Sequence, residues 1–116
     1  FHDRIHAYLP GWDVPKLDPS YFTDHFGFVS DFLAECWSQL RRTSRLDVIQ
    51  GRLQWGGQLS GRDRKAANST VNGLLKLLWP DPGQDVPDAA VAWAAELALE
   101  MRRRVKEQQA FIGAGE

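Results

Sequence analysis

The sequence is poor in sulfur-containing residues, with one cysteine and one methionine, and its net charge is only −1 over 116 residues. Cys36 has no second cysteine to pair with, which excludes an internal disulfide and favours a reducing cytoplasm. The balance of acidic and basic residues gives no support to a globally basic nucleic-acid-binding protein. No apolar run approaches the roughly 20 residues that cross a bilayer, and no signal-peptide pattern is present. We therefore expect a cytoplasmic protein with no membrane contact.

Motifs that mark catalytic or cofactor sites are also missing. There is no Walker loop, no Ser-Lys dyad, no Gly-rich dinucleotide turn and no quartet of metal ligands. His2 and His6 have the i,i+4 spacing that suits a metal on a helix, but the local pattern is typical of an extended segment and no third ligand is near. We expect a structural role or simple exposure for both. The chain alone is expected to catalyse nothing and to bind no cofactor.

The residues that are present indicate one folded domain. An apolar fraction of 43% and five tryptophans exclude a disordered chain. Residues 1–19 contain three of the six prolines and a tight Leu9-Pro10-Gly11-Trp12 turn, which predicts a strand-like segment followed by a loop. The chain also opens on Phe1 rather than Met, as a piece of a longer protein would.

After residue 20 the apolar residues recur at three- and four-residue spacing, which predicts helices. The first helix runs from about Thr23 to about Arg42, and Arg41 and Arg42 stabilise its carboxyl end. Its apolar face consists of Phe28, Val29, Phe32, Leu33, Cys36, Trp37 and Leu40. We expect this face, including Cys36, to be buried. The five tryptophans are likewise expected to pack in the core and between helices, with their ring N–H groups bonded.

The second and third helices are predicted from their capping residues. Ser44-Arg45-Leu46-Asp47 resembles a capping box that begins a short helix, and Gly56-Gly57 ends it. Ser60-Gly61-Arg62-Asp63 is a second box of this kind. It begins a third helix, which Pro80 forces to end near Trp79.

The fourth helix follows a turn at Asp81-Pro82-Gly83-Gln84, with Asp85 as its cap and Pro87 in its first turn. Its apolar stripe consists of Ala90, Trp93, Ala94, Leu97, Ala98, Met101 and Val105. The expected fold is all-α: a small four-helix bundle preceded by a short extended segment.

Two groups of cations are candidate phosphate contacts, one at the start of the chain and one at the start of the third helix. The planar guanidinium of Arg4 suits phosphate oxygens, and the alternative is an ordinary surface arginine paired with Asp3 or another acid. Arg62, Arg64 and Lys65 lie in the first turn and a half of the third helix, where the helix dipole repels cations. Either an anion binds there or the three side chains are simply solvated.

The densest positive run is found at the end of the fourth helix. Arg102, Arg103, Arg104 and Lys106 complement the helix dipole there and can pair with Glu100 and Glu107. The alternative is a weak nucleic-acid patch, alone or with residues 41–45, which salt-dependent binding would reveal.

Three sequence motifs, in this order along the chain, resemble those of a known family. They are His2-Asp3-Arg4-Ile5-His6 with Leu9-Pro10-Gly11-Trp12 and Pro15-Lys16, then Gly61-Arg62-Asp63 with Thr70-Val71-Asn72-Gly73-Leu74-Leu75-Lys76-Leu77-Leu78, and Arg102-Arg103-Arg104-Val105-Lys106-Glu107-Gln108. The series resembles the Lon-protease-like AAA+ proteins of BREX phage-defence systems. The resemblance implies that residues 1–19 end the AAA+ core and form a linker, residues 20–112 form the helical lid, and residues 113–116 are a frayed tail.

The resemblance also implies roles for single residues. Asp3-Arg4-Ile5 is similar to the element of Lon ATPases whose arginine is the finger that reaches the nucleotide of a neighbouring subunit, so Arg4 is the implied finger. Where Lon-type lids carry the sensor-2 arginine, the closest phrase is Ala66-Ala67-Asn68. Asparagine replaces arginine there, which leaves Arg62 or Arg64 as sensor 2.

The parent protein implied by this resemblance is an ATPase that forms a ring of identical subunits, uses ATP and Mg²⁺, and binds DNA. The alternative interpretation is a free-standing helical module that binds nucleic acid, or that binds proteins through exposed tryptophans.

Overall fold

The structure is a computed structural model that describes residues 2–81 and 83–114, with the backbone alone for His2, Gly113 and Ala114. Phe1, Pro82, Gly115 and Glu116 lie outside the described residues. The predicted all-α class is confirmed within these ranges, which contain no strand. The helices are α1 (Ser30–Leu40), α2 (Leu46–Arg52), α3 (Gly61–Leu78) and α4 (Asp88–Ala114).

The segment before α1 is not strand-like, so that prediction was wrong. It contains three short 3-10 turns, at His2–Arg4, Gly11–Asp13 and Pro19–Tyr21. The predicted tight turn is confirmed in the second of these, where the Asp13 N–H donates to the Pro10 carbonyl at 3.0 Å. An extended segment needs a neighbouring strand to bond its backbone, and none exists among the described residues.

The hydrophobic core lies between α3 and α4, and α2 covers one side of it. Its buried members are Ile49, Ala67, Val71, Leu75, Val86, Val91, Ala94, Ala95 and Ala98. Four of these nine residues are alanines, three of them on α4, so α4 enters the core largely through small side chains. The larger Val71 and Leu75 are 0% exposed, and burying each such side chain contributes about 1.5–3 kcal/mol.

The two ends of α3 agree with the sequence prediction. The Asp63 N–H donates to Ser60 Oγ at 3.1 Å, and the Ser60 N–H donates to Asp63 Oδ2 at 3.3 Å, which completes the capping box. The helix ends at Leu78, just before Trp79 and Pro80. These local signals act within one turn of helix and therefore need no tertiary contact.

The predicted start and end of α2 need correction. Ser44 Oγ accepts from the Leu46 N–H at 3.2 Å, but the residue that precedes the helix is Arg45, and no side chain caps it. The helix ends at Arg52, before the glycine pair, because Leu53 is already extended (φ −117°, ψ 134°).

The start of α4 also differs in detail. Pro87 lies just before the helix, and its carbonyl accepts from the Ala90 N–H at 3.0 Å and from the Val91 N–H at 3.2 Å. Asp85 was predicted as the cap, but its carboxylate binds the Arg52 guanidinium at 3.1 Å. Asp85 therefore forms an ion pair that joins α2 to the loop before α4, instead of capping α4.

The buried face of α4 is rotated from the predicted stripe. Trp93 is 47% exposed, whereas Arg102, at the carboxyl end of the same face as Ala98, is only 3% exposed. The side of α4 that enters the core consists of Val91, Ala94, Ala95 and Ala98.

Helix α1 departs most from the prediction, because it is shorter and its apolar face is not buried. It begins at Ser30 rather than near Thr23. Phe32 and Trp37 remain 53% and 54% exposed, and Cys36 is only partly buried. The Cα radius of gyration of 17.0 Å exceeds the roughly 13 Å typical of a compact chain of this length. The core of α2, α3 and α4 is complete without α1.

Lys76 of α3 holds the carboxyl end of α1. Its Nζ donates to the carbonyls of Leu40 and Thr43 at 3.0 and 3.3 Å. The sequence predicts this stabilising role for Arg41 and Arg42, but both side chains are exposed. A cation from the neighbouring helix satisfies the last carbonyls instead.

The tryptophans divide into two groups. Trp55 and Trp79 pack against the core, and Trp55 Nε1 donates to Asn68 Oδ1 at 2.7 Å. Trp12, Trp37 and Trp93 are largely exposed, so the prediction that all five are buried was wrong. None of the helices within residues 2–81 and 83–114 has the length and apolar character needed to span a membrane.

Candidate functional site

Asp3 connects the start of the chain to both long helices. Its Oδ1 accepts from Arg102 Nη2 at 2.8 Å and from Lys106 Nζ at 2.9 Å, while Oδ2 accepts from Arg62 Nη1 at 2.6 Å. The side chain is 19% exposed. Hydrogen bonds from Lys106 and Arg62 hold the pKa of this carboxyl well below its usual range. Asp3 is therefore ionised throughout the neutral range and attaches its segment firmly.

Arg102 is the buried partner in this arrangement. Besides Asp3, its Nε donates to Asp63 Oδ1 at 2.8 Å and its Nη1 donates to the Ile5 carbonyl at 2.6 Å. A buried guanidinium is tolerated only when its donors are paired, and here three of its nitrogens have acceptors. Arg102 follows Ala98 by one turn and precedes Val105, both buried, so its position in the apolar stripe was the signal that our sequence reasoning missed.

Asp63 performs two tasks. It completes the cap of α3 through Ser60, and it also binds Arg102 and, at 3.5 Å, Lys106. Burial raises the pKa of Asp63, but the hydrogen bonds from Arg102 and Ser60 outweigh it, so that the pKa is lowered. One carboxylate thus joins the beginning of α3 to α4.

Arg4 lies between the two residues that Arg102 holds, yet its own side chain is exposed. Within the described residues it has no carboxylate at salt-bridge distance, because Asp3 pairs with Arg62, Arg102 and Lys106 instead. The pairing of Arg4 with Asp3 considered from the sequence is therefore not formed. The Arg4 guanidinium is available for an external acceptor.

A cleft of about 310 Å³ contains some of the predicted cations but not all of them. It is lined by Asp3, Arg4, His6, Arg62 and Lys65. The side chain of Arg62 is 70% exposed, and only one of its nitrogens is bonded to Asp3. Arg64 is exposed but does not line this cleft. The structure brings Arg4 and Arg62 together and leaves Arg64 apart.

The remaining cations of the fourth helix are paired with nearby acids, as the sequence predicts. Arg103 binds Glu100 at 2.8 Å and Glu107 at 2.7 Å. Arg104 binds Glu100 at 3.1 Å, and its other contact, at 3.6 Å, is Asp13 in the second 3-10 turn. Hydrogen bonds from Arg103 and Arg104 lower the pKa of Glu100 to about 2.

This pairing changes the picture of a basic nucleic-acid patch. Arg102 is buried and cannot belong to an exposed surface, which corrects its assignment to the patch. Lys106 is partly exposed but points at Asp3 and Asp63. The cations of this run thus mainly bind carboxylates of the same chain and do not form a free positive stripe on the surface.

Two further sequence hypotheses have structural outcomes. Asn68, at the position that the sequence resemblance assigned to sensor 2, is half-buried and accepts the Trp55 ring N–H, so it is part of the helix packing. The side chain of His2 lies outside the described residues, and His6 is exposed beside the cleft. No group of three possible metal-ligating side chains occurs in the part of the chain that the structure describes.

Comparison with known proteins identifies the family of the chain. The family model for "Lon-like protease BrxL-like, ATPase domain" matches residues 1–116. The chain is 43% identical over 113 residues to the Lon-like protease BrxL of Escherichia coli O9:H4 (strain HS) and 44% identical over 113 residues to that of Bacillus cereus (strain H3081.97). Each alignment covers 97% of this chain and 16% of the relative, so the chain spans about one-sixth of the relatives' length. The chain belongs to the family of BrxL-like, Lon-like protease ATPase domains.

Proposed function

We propose that this chain is the helical lid of a Lon-like ATPase, preceded by the segment that carries an arginine finger. One observation carries the proposal. Asp3 and Ile5 are bonded to the helical body, while Arg4 between them is exposed and has no carboxylate partner among the described residues. A segment held this firmly presents a single guanidinium outward, which is the geometry that a residue acting on another subunit requires.

The chemistry of nucleotide hydrolysis suits such a group. Charge develops on the transferred phosphoryl group, and an arginine supplied by a neighbour stabilises it, which is worth roughly 10³ to 10⁵ in rate. ATP and its Mg²⁺ would be held by another part of the protein, and Arg4 would reach the phosphates of an adjacent copy in a ring of identical subunits. Because Asp3 is already saturated by other cations, it would not compete with the phosphates for Arg4.

The cleft composition favours Arg62 over Arg64 as the second phosphate contact. Arg62 and Lys65 lie one turn apart on α3 and line the same cleft as Arg4. Asp3 holds one nitrogen of Arg62 and leaves the rest of its guanidinium exposed. Arg62 would thus sense the nucleotide in place of the arginine that Asn68 replaces.

The test uses the complete ATPase that contains this chain. Arg4→Ala should lower kcat for ATP hydrolysis by at least roughly 10³-fold and leave the Kd for ATP within about two-fold. Arg42→Ala, which removes an exposed arginine outside the cleft, is the matched control and should change neither quantity. Unchanged turnover in Arg4→Ala would remove the finger assignment.

A mixing experiment tests the action across subunits. Arg4→Ala subunits are combined with subunits that keep Arg4 but cannot bind ATP. Neither variant should hydrolyse ATP alone, and mixed rings should recover part of the activity, because the second subunit supplies Arg4 to the nucleotide of the first. Absence of recovery in rings shown by mass to be mixed would contradict action in trans.

We also propose, from the family and the name of the relatives, that the parent acts in BREX phage defence, in the cytoplasm, and that its rings bind DNA. Internal pairing of Arg102, Arg103 and Arg104 argues against this chain as the main DNA contact. The expected result is therefore that Arg103→Ala leaves DNA binding by the complete protein, and the salt slope of that binding, unchanged. A salt slope reduced by about one would assign the residue to a phosphate contact.

A second candidate function, protein binding, has its own observation. Phe28 and Phe32 stack with ring centroids 5.7 Å apart, and Phe32 and Trp37 remain about half exposed on α1. We propose another copy of the ATPase as the occupant, since a ring requires subunit contacts and aromatic residues are typical anchors of interfaces. Phe32→Ser with Trp37→Ser should lower the sedimenting mass of the complete protein, whereas Leu17→Ser, at an exposed apolar residue in the preceding loop, should not. An unchanged mass would contradict this role.

A further inference from the structure

We propose that Arg102 is a positioning residue for Arg4: it fixes the finger to the helical body, so that the two move together. The inference rests on the proposed function, since it concerns how the proposed finger is held. Arg102 itself is only 3% exposed and its nitrogens are bonded within the chain, so any effect on hydrolysis must pass through the residues that it contacts.

The contacts of Arg102 lie on both sides of Arg4. Its Nη2 binds the Asp3 carboxylate at 2.8 Å, and its Nη1 binds the Ile5 carbonyl at 2.6 Å. The segment is therefore held on both sides of the exposed arginine, through the Asp3 side chain before it and through the Ile5 backbone carbonyl after it. Few degrees of freedom remain for Arg4 except its own side-chain torsions, which is what preorganisation of a charged group requires.

The third contact of Arg102 extends the connection to α3. Its Nε binds Asp63, the residue that also caps α3 through Ser60. The first turn and a half of α3 also carries Arg62 and Lys65, the other cations of the cleft. A displacement of α4 would therefore be transmitted to Arg4 and to the start of α3 at once, so a lid that rotates with nucleotide would carry the finger as part of one body.

The residue type is suited to this task. Arginine has a planar fork with several donors in fixed directions, so a single side chain reaches Asp3, Ile5 and Asp63 at the same time. A lysine has one charged nitrogen on a flexible stem, and could not reproduce all three directions. Lys106, one turn later, supplies such a point charge to Asp3 and Asp63 but does not bind the backbone.

The experiment is a double-mutant cycle in the complete ATPase. Arg102→Met, which keeps the length of the side chain, should lower kcat by roughly 10- to 100-fold and leave KM for ATP within about three-fold, because misplacement of a catalytic group by about 1 Å costs up to roughly 10² in rate. Arg4→Ala combined with Arg102→Met should be no slower than Arg4→Ala alone. Arg102→Lys should recover only part of kcat.

The matched control is Arg45→Met. Arg45 is also buried, 5% exposed, and it binds the carbonyls of Trp79 and Gln84 at the other end of the helical body. Its loss should lower stability, but the turnover of rings that remain assembled should be unchanged. Asp3→Asn, an isosteric change that weakens the same connection, is the second variant in case Arg102→Met does not fold, and it should reproduce the loss of kcat.

Amide hydrogen exchange gives a readout that does not depend on hydrolysis. Arg102→Met should raise exchange at residues 3–6 by a larger factor than in the core of α3 and α4, where only the change in global stability acts. The positioning role is overturned if exchange at residues 3–6 stays as in the unmodified protein, or if the effects of Arg4→Ala and Arg102→Met on kcat multiply. If Arg4→Ala alone leaves turnover unchanged, the finger assignment fails, whereas the exchange result still reports whether Arg102 holds the segment.

Discussion

Arg102 Nη2 and Asp3 Oδ1 lie 2.8 Å apart although 99 positions separate the two residues in the sequence. This contact closes the first residues of the chain onto its last helix. It explains how a segment with only short 3-10 turns keeps a defined position beside α3 and α4. It also separates the roles of two neighbouring residues, since Asp3 turns inward and Arg4 stays exposed.

Removal of the Arg102 guanidinium should destabilise the 116-residue chain strongly. Arg102→Met leaves Asp3 and Asp63 without their buried partner, and loss of one member of a buried ion pair costs about 3–5 kcal/mol. The free energy of unfolding is measured by urea denaturation at pH 7. Arg103→Met, in the exposed pairs with Glu100 and Glu107, is the control and should have a distinctly smaller effect. An equal loss of unfolding free energy in the two variants would show that the buried contacts of Arg102 stabilise the chain no more than exposed ion pairs do.

The stability of the chain should fall in acid partly because of Glu100. Its pKa is about 2 in the folded chain against an ordinary 4.5, so its contribution is fully present above pH 4.5 and is lost as the pH falls toward about 2. Glu100→Gln lacks this contribution. Its Tm should therefore decrease less than that of the unmodified chain between pH 5 and pH 3, as followed by circular dichroism. If the Tm of the variant and that of the unmodified chain fall equally between pH 5 and pH 3, the lowered pKa of Glu100 is contradicted.

The bond between Trp55 and Asn68 should contribute to holding the segment after α2 on α3. Asn68→Ala leaves the half-buried indole N–H without its acceptor, which costs about 1–3 kcal/mol. Ser69→Ala, at the exposed neighbouring position of the same helix, should cost less than about 0.5 kcal/mol. Urea denaturation of the two variants checks the difference. A similar midpoint for both would mean that solvent replaces Asn68 without cost.

Lys76 should determine how firmly α1 is attached. Lys76→Met removes the donor to the Leu40 and Thr43 carbonyls, and the expected result is faster amide hydrogen exchange throughout α1 with little change in α4. Lys65→Met, at an exposed position earlier in α3, is the control. If α1 keeps its protection in Lys76→Met, the two hydrogen bonds from Lys76 are not what holds the helix.

Local features of the fold were predictable where a short stretch of sequence is enough. The Ser60–Asp63 capping box and the stop before Pro80 define α3 within one turn at each end. The pairs of Arg103 with Glu100 and Glu107 follow from three- and four-residue spacing on a helix. The ends of α2 and the start of α4 were predicted less well, because Asp85 is bound by Arg52 from another element.

The site was only partly predictable. Arg4 and Arg62 were identified from residue type and resemblance, and the structure places both at one cleft. Asp3, Asp63 and Arg102 were not recognised as a unit, since no periodicity relates residues so far apart. Exposed Trp37 was predicted as core, because an apolar helical face indicates burial against something but not against which partner.

The sequence by itself determined the all-α class, the limits of α3, the paired charges along α4 and membership of the family, since these follow from neighbours along the chain or from residue identity. Only the tertiary structure decided that Arg102 is buried, that Arg4 is exposed beside Arg62, and that α1 remains outside the core. The physical reason is that a guanidinium is favourable both in water and among buried carboxylates. Which of these states it adopts depends on whether distant residues bring acceptors to it.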